Sequence, residues 1–402
     1  MAASICAYHL VLAAVALLTY RSGAVKNASP SSRLAIVIPA HNEETTIRDT
    51  LRCCAELDYP TEKYRVYVIA DNCSDRTAEI AASEGAACLV RADEQRRGKG
   101  YALEWALPQV MRESHDAVVI LDADCRLDSD ALWKFDRRLA AGSRALQASV
   151  VIANPEHNAL SYVLALANLL ENDFFYAPKS ALGMAVYLQG TGMVLSRETL
   201  LRYPWKVHTI TEDADYSCQL LSGEERIEFA RNVRVYSDSP PSRAQLRVQR
   251  SRWIVGGTQS ARRHGWRLFW QGLVQRRPLL IDAGLTTWIV SRPLIIAQWL
   301  TTLALAVVCY YYSPDLWSST LLGCSLAVGA GYAVYVGAGA ACLGGTPRRV
   351  GLLFQAPAAV LGYLWMALGV CVQRGPVVWR RTPRRHDTGQ GEEYASTREA
   401  AG

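Results

Sequence analysis

The chain contains no Cys-x-x-Cys pair and no Cys/His cluster at metal-site spacing, although it has eleven cysteines. Cys53 and Cys54 are adjacent and poorly placed to bridge each other. An odd, patternless set speaks against a disulfide framework and for a reduced compartment, with most thiols acting as small hydrophobes. The spacing of a P-loop is missing, so the Gly/Lys-rich stretch at 96–100 is not read as an ATP site. No basic helix or aromatic base-stacking motif accompanies the net charge of +6, which argues against nucleic acid as a partner. Histidines stand singly, and there is no internal repeat or low-complexity tract. No positive charge precedes the first apolar run, as a secretory signal peptide would require.

Half of the 402 residues are hydrophobic, and they are unevenly spread. Residues 5–20 are apolar and are followed by Arg21 and Lys26, the pattern of an uncleaved anchor (1–21) with its N-terminus outside. Residues 22–33 read as a linker. The 241–284 region mixes Arg, Trp and aliphatic residues, which suits helices lying at a membrane surface. Apolar segments follow at 285–312, 316–343 and 351–373, the first interrupted by Arg292-Pro293. Three spans would put the tail outside, yet Arg374, Arg380, Arg381, Arg384 and Arg385 place it in the cytoplasm by the positive-inside rule. One segment is therefore expected to be re-entrant or interfacial, with the Arg292-Pro293 break and the Gln355/Pro357 stretch as the suspects. The basic 374–402 tail is expected to be cytoplasmic and disordered from 386 onward.

Between the apolar ends the pattern is alternating α/β. Strands are expected at Leu34–Ile38, Arg65–Ala70, Ala87–Val90 and Ala117–Leu121, and helices at Glu43–Leu57, Asp75–Gly85 and Gly100–Met111. Residues 160–176 read as an apolar helix, and 185–195 as a strand interrupted by Gly190 and Gly192. Strand, loop and helix in repetition imply a mostly parallel sheet, with ligands at the carboxyl ends of its strands.

Polar residues after those strands are the candidates for chemistry. Asp122 and Asp124 at a strand end suit a hard divalent cation and a diphosphate, or are solvated loop acids. Asp71 is placed to accept hydrogen bonds from a base or ribose, while Asp75 is more simply a helix cap. Arg96–Gly100 is a cationic, Gly-rich turn that suits phosphate, or is a solvated basic loop. Asp213 suits a general base; the alternatives are an acid-rich helix start or an ion pair, and Asp215 competes for the role. Gln249-Arg250-Ser251-Arg252-Trp253 offers guanidinium groups for a diphosphate and a flat ring for a sugar. Snorkelling arginines on a membrane-surface helix are its plainer reading, preferred for Arg247 and Arg262. His41, in the first loop, is read as a packing residue, with shaping of the nucleotide pocket as the less favoured alternative.

The order of these motifs decides more than any one of them. Ile38-Pro39-Ala40-His41-Asn42-Glu43-Glu44, Asp71–Asp75, Arg97–Gly100, Asp122-Ala123-Asp124, Thr211-Glu212-Asp213 and Gln249–Trp253 together resemble the family 2 glycosyltransferases. The resemblance is nearest to the membrane-bound branch of cellulose, chitin, hyaluronan and poly-N-acetylglucosamine synthases. It implies an α/β GT-A fold spanning 30–240, interfacial helices at 241–284, membrane segments at 285–373, a UDP-sugar donor, Mg2+ or Mn2+, and inversion at the anomeric carbon. Carried over by motif, Pro39, Asn42, Glu44 and Asp71 line the uridine pocket with Lys99 nearby. Asp122 and Asp124 hold UDP and the metal, and Asp213 is the base. Gln249, Arg252 and Trp253 bind the diphosphate and the acceptor, with Gln189–Gly192 near the acceptor. Trp379-Arg380-Arg381-Thr382-Pro383-Arg384 looks like the element that follows the last membrane segment in many synthases. The implied function is processive β-linked polysaccharide synthesis at the cell membrane with a cytoplasmic catalytic domain; the alternative is single-sugar transfer to a membrane lipid. The chain is more compact than the large synthases, which leaves room for an accessory export subunit.

Overall fold

A computed structural model of the chain describes residues 2–18, 30–240, 243–289 and 292–372. Arg21, Lys26 and the whole 374–402 tail, with its Trp379–Arg384 element, lie outside the described residues. Eight strands form one sheet: β1 (Leu34–Ala40), β2 (Tyr64–Asp71), β3 (Ala87–Arg91), β4 (Ala117–Ile120), β5 (Cys125–Leu127), β6 (Ala145–Ile152), β7 (Met193–Ser196) and β8 (Ile227–Ser237). Their spatial order is β3-β2-β1-β4-β7-β6-β8-β5. Within it β3-β2-β1-β4 and β6-β8 are parallel, whereas β7 and β5 pair antiparallel.

The helices of this domain are α2 (Ile47–Ala55), α3 (Thr77–Ser83), α4 (Lys99–Val110), α5 (Ala131–Ala140), α6 (Ala159–Glu171), α7 (Ala177–Ala181), α8 (Arg197–Arg202) and α9 (Glu212–Ser222). β1 reads Leu-Ala-Ile-Val-Ile because both faces are covered: Leu34, Ile36 and Ile38 pack with α2 residues Ile47 and Leu51, and Ala35 and Val37 with α4 residues Ala102 and Leu103. A continuous apolar run is what a doubly covered parallel strand requires.

The expected β-α alternation up to Ile120 is present, with shifted ends. The helix expected from Glu43 starts only at Ile47, because Asn42 adopts φ +55° and the chain turns before it coils. The strand expected at 185–195 shrinks to Met193–Ser196; Gly190 (φ +83°) and Gly192 (φ +65°) carry the backbone out of ladder geometry before it. No strand is expected from the sequence at β5, β6 or β8. In β6, buried Gln147 and Ser149 break the apolar run that marks the other interior strands.

Beyond the sheet lie α10 (Arg243–Ser260), a π-helical turn (Ala261–Gly265), α11 (Trp266–Val274), α12 (Pro278–Ile289), α13 (Arg292–Tyr312), α14 (Leu316–Leu343) and α15 (Pro347–Val372). The helix ahead of the domain, α1 (Ala2–Leu18), lies beside α14, where the His9 ring stacks on Tyr335 with centroids 5.4 Å apart. Helix α12 ends at Ile289 and α13 begins at Arg292, so Arg292-Pro293, where a break is expected, opens α13; residues 290–291 lie outside the described residues. Among the described residues only α14 is long and apolar enough to cross a membrane; Ala3–Leu18 and Ile296–Tyr312 are shorter apolar stretches. The C-terminal half of α14 rests on α6, where Gly339 meets Leu170. Arg349, just past it, pairs with Glu156 of the domain at 2.8 Å. The Ser313–Asp315 turn is therefore the end of the α13–α14 hairpin remote from the sheet.

Candidate active site

The loops following β1, β2 and β4 meet at the carboxyl edge of the sheet. After β4, Asp122 N–H donates to Thr191 Oγ1 (3.1 Å) and Thr50 Oγ1 donates to the Ala123 carbonyl (2.8 Å). Ala123 is thereby buried, and the carboxylates of Asp122 and Asp124 flank it half-exposed. Lys99, the first residue of α4, places its ammonium 2.5 Å from Asp122 Oδ1 and 2.6 Å from the Gly190 carbonyl oxygen. Gly98 (φ +120°) makes the turn, and Gly100 lets α4 approach the Val207 carbonyl, where a β-carbon would lie 2.3 Å away.

Asp213 enters from α9. A β-carbon on Gly190 would lie 3.3 Å from Asp213 Oδ2 and 3.8 Å from Lys99 Nζ, so Gly190 is the meeting point of the two charges. Burial, then the neighbouring Asp213 charge, raises the Glu212 carboxyl, and burial raises Asp213 against the opposing pull of Lys99. Burial alone would lower the Lys99 ammonium; Asp122, Glu212 and Asp213 together raise it above its ordinary value. Asp213 is thus a carboxyl whose proton affinity lies above that of a solvated acid, in the direction a general base needs.

Asp215, the competing candidate, points elsewhere. Its carboxylate accepts from Thr209 Oγ1 (2.9 Å) and faces Arg263 (3.6 Å) and His264 (3.4 Å) on the π-helical turn. Burial would raise it, but its interactions with His264, Ser260 and Thr209 bring it below the ordinary range. Asp215 is a structural tie between α9 and the helices after α10.

The Gln249–Trp253 stretch lies on α10, and a close contact sets its approach to Asp213. A β-carbon on Gly256 would fall 2.4 Å from Thr211 Cγ2, two residues before Asp213. Around an α-helix, Gln249 and Arg252 stand roughly 20° and 40° from Gly256, and Trp253 roughly 60°. Gln249 and Arg252 therefore share the face that meets Thr211. Trp253 is 47% exposed and carries the Arg250 guanidinium over its ring at 4.4 Å.

At the opposite end, Asn42 and Asn72 both adopt left-handed φ (+55° and +49°). Asn42 Oδ1 accepts from Ser74 N–H (2.8 Å), and His41 Nδ1 lies 2.7 Å from the Asp71 carbonyl oxygen, lacing the first two loops together. Pro39, next to last in β1, lies half-buried beside them. Glu44 Oε2 accepts from Arg76 N–H (3.2 Å) at the rim. Asp75 Oδ1 accepts from Thr77 N–H (3.0 Å) just ahead of α3, but the cap position expected for Asp75 is held by Arg76. Asp71 is buried against Arg91, which donates to its Oδ1 at 2.6 Å and to Asp93 at 2.9 Å.

Asp122, Asp124 and Cys125 bring a ligand atom each within 4.8 Å of one another. The two carboxylates fit a hard divalent cation. Cys125 does not: burial, then the charges of Asp124 and Asp122, drives its thiol well above its ordinary value, leaving it protonated and soft.

Residues 30–256 match the family described as "Glycosyltransferase like family 2". The chain belongs to this family. It is a glycosyltransferase. The enzyme is 30% identical over 236 residues to a beta-monoglucosyldiacylglycerol synthase of Trichormus variabilis, covering 56% of this chain and 49% of that protein. It is 24% identical over 237 residues to glucomannan 4-beta-mannosyltransferase 1 of Cyamopsis tetragonoloba, covering 55% and 44%. The enzyme spans about half the length of the curated relatives it matches. Its fold is similar to that of the mannosyltransferase PcManGT of Pyrobaculum calidifontis, solved with GDP-Man and Mn2+, with a TM-score of 0.53, 18% identity and coverage of 93% and 100%. The fold is GT-A-like, with a mostly parallel sheet.

Four residues around the candidate site are not among those expected from the sequence. Gln147, fully buried, holds the Gln189 N–H (2.8 Å) and the Thr191 carbonyl (2.9 Å). Ser217 accepts from Leu188 N–H (2.9 Å) and donates to the Asp213 carbonyl (2.7 Å). Arg91 and Gly256 are the others. A lone polar residue in an apolar run signals Gln147; nothing local distinguishes Arg91, whose partner is twenty residues away.

Proposed function

We propose that the enzyme transfers a hexosyl group, with inversion, from a UDP-sugar to a membrane lipid. The observation that carries this reading is the convergence of Lys99, Asp122 and Asp213 at Gly190, with α10 pressed against Thr211 beside them. In this reading Asp213 takes the proton of the attacking hydroxyl, and its raised proton affinity suits it to that step. Lys99, Gln249 and Arg252 hold the diphosphate, Trp253 packs on the acceptor, and Pro39, Asn42, Glu44 and Asp71 line the nucleoside pocket. Asp122 and Asp124 would hold Mg2+ or Mn2+, which when bound neutralises charge on the UDP leaving group.

Membrane seating supports a lipid acceptor. At about 1.5 Å per residue α14 is roughly 42 Å long, enough for a bilayer. Exposed Tyr311, Tyr312 and Trp317 ring its far end, and exposed Trp266, Trp270 and Trp288 lie on the helices near the domain. Aromatic girdles flanking an apolar helix are what a membrane-spanning segment presents. We accordingly place α14 across the cell membrane, with the shorter apolar α13 packed beside it, and the sheet domain in the cytoplasm. The relative from Trichormus variabilis, named for a lipid product, favours the same acceptor class.

A second reading, extension of a β-linked polysaccharide with an accessory export subunit, draws on the similarity to the glucomannan mannosyltransferase. Incubation of the purified enzyme with a panel of UDP-sugars, with diacylglycerol or an oligosaccharide as acceptor, separates the two. A single-sugar lipid product supports the first; long glycan without lipid product replaces it with the second. Absence of UDP release with every UDP-sugar defeats both.

A further inference from the structure

Lys179 of α7 is fully buried, and its ammonium lies 3.0 Å from Asp282 Oδ2 of α12 and 2.5 Å from Thr286 Oγ1. The Phe175 ring covers it at 4.6 Å. Asp282 gathers two further donors from separate parts of the chain: Tyr8 O–H of α1 at 2.8 Å and Ala185 N–H at 2.8 Å. One carboxylate thus joins the N-terminal helix, the helix that leads into α13, and the segment that runs to Gly190.

That segment is held at nearly every step. Tyr187 O–H donates to the Ala283 carbonyl at 2.9 Å, and Leu188 N–H donates to Ser217, which donates in turn to the Asp213 carbonyl. Gln147 holds its Gln189 N–H, and Lys99 holds its Gly190 carbonyl. The 185–192 segment is a strap with α12 at one end and Lys99 with Asp213 at the other. A buried ion pair is a poor source of net stability, because apolar residues of like volume serve as well or better. Its effect here is to fix position. A misplacement of about 1 Å at a reacting group can cost about a hundredfold in rate.

We propose that Asp282 is a positioning residue for transfer: by gripping Ala185, and with Tyr8 and Lys179 fixing its own carboxylate, it sets where Gly190 stands relative to Asp213 and Lys99. Helices α1 and α12, outside the sheet, thereby hold the geometry of the transfer site. This rests on the assignment of Asp213 as the base.

The test uses the full chain in lipid nanodiscs and compares Lys179→Met with Asp282→Leu in one protein, and Tyr8→Phe alone. Turnover, UDP affinity, melting temperature and the fraction of released UDP not matched by transfer are measured. The double variant removes both buried charges but leaves the Ala185 N–H and Tyr8 O–H without their acceptor, so it is expected to melt below the native enzyme while binding UDP as tightly. Its kcat should fall about tenfold, with more UDP released without transfer. Unchanged kcat and unchanged coupling in that variant overturn the proposal. Should the double variant not fold, Tyr8→Phe decides: a severalfold loss of kcat at unchanged UDP affinity is expected, and native kcat overturns the proposal. Asp213→Asn measured alongside separates the two assignments. Activity in Asp213→Asn sinks the base, whereas an inactive Asp213→Asn beside normal Asp282 and Tyr8 variants sinks only the positioning role.

Discussion

Gly256 approaches Thr211 so closely that any β-carbon at 256 would fall 2.4 Å from the Thr211 methyl group. Thr211 is β-branched and stiff at χ1, so it cannot easily turn aside. Gly256→Ala should therefore push α10 away from the α9 N-terminus and lower kcat by about tenfold, the equivalent of about 1.4 kcal/mol in the barrier. Gly257 has nothing within 4 Å of its would-be β-carbon. Gly257→Ala should leave kcat unchanged and raise the melting temperature slightly, because alanine favours a helix by about 1 kcal/mol. Equal activity in the two variants would dissociate α10 packing from catalysis.

Asp213 and Asp215 lie two residues apart and face different partners, so their variants should separate cleanly. Asp213→Asn is expected to lose transfer by roughly 10² to 10⁴-fold while melting like the native protein or later. Asp215→Asn weakens the tie to Arg263 and His264. It should lower the melting temperature, the loss of a buried charged hydrogen-bond partner costing about 1–3 kcal/mol, and keep most of the turnover of the folded fraction. Steady-state kinetics with differential scanning fluorimetry reads both outcomes.

The parts legible from the sequence are those set by local rules. The strand ends carrying Asp71 and Asp122 follow apolar runs, and Lys99 follows a glycine turn, so each could be located by pattern. Of the sheet beyond β4, only the end of the strand expected at 185–195 matches an element, the four-residue β7, and β6 hides buried Gln147 among aliphatics. The separation of Asp213 from Asp215 was equally hidden, since it depends on a π-helical turn fifty residues further on that brings His264 to Asp215. Pairings at such separation are fixed by packing, and no periodicity in the chain records them.

Arg91 and Asp71 form a buried pair at 2.6 Å. Arg91→Met leaves the Asp71 carboxylate without its partner and should cost about 3–5 kcal/mol of stability. Arg91→Lys should recover only part of it, since an ammonium cannot replace the fork that reaches both Asp71 and Asp93. If Asp71 lines the nucleoside pocket, UDP affinity should fall in both variants in step with the displaced carboxylate. Chemical denaturation and calorimetric UDP titration measure the two effects separately.

Asp124→Ala removes one of the paired carboxylates and leaves the Lys99–Asp122 contact in place. Its UDP affinity should lose its dependence on added Mn2+ without change in melting temperature. Asp122→Ala removes the same kind of ligand and also the anion facing Lys99 at 2.5 Å, so it should be the more damaging of the two. Chelation of the native enzyme with EDTA should mimic Asp124→Ala in the UDP titration. Full UDP affinity in Asp124→Ala at every Mn2+ concentration would remove the metal from Asp124.

The raised carboxyls of Glu212 and Asp213 tie activity to stability through pH. Both hold their protons more tightly in the folded chain than a solvated acid does, first because burial penalises the charge. Between the unfolded carboxylate values near about 4 and the higher folded ones, the folded state binds more protons than the unfolded state. Stability from this pair is therefore full below that window and is lost as pH rises through it. Glu212→Gln removes one of the two charges and should stabilise the protein at pH 8, by on the order of 1–2 kcal/mol, with the gain fading toward pH 4. With Asp213 as the proposed base, transfer runs the other way: the carboxyl must be ionised to accept a proton, so the acid limb of kcat/KM should lie well above the ordinary carboxylate range and closer to neutral. Thermal melts of Glu212→Gln across pH, set against the native pH–rate profile, check both signs. A stabilisation that stays constant from pH 4 to 8 would mean that Glu212 is not the strained carboxyl its burial beside Asp213 implies.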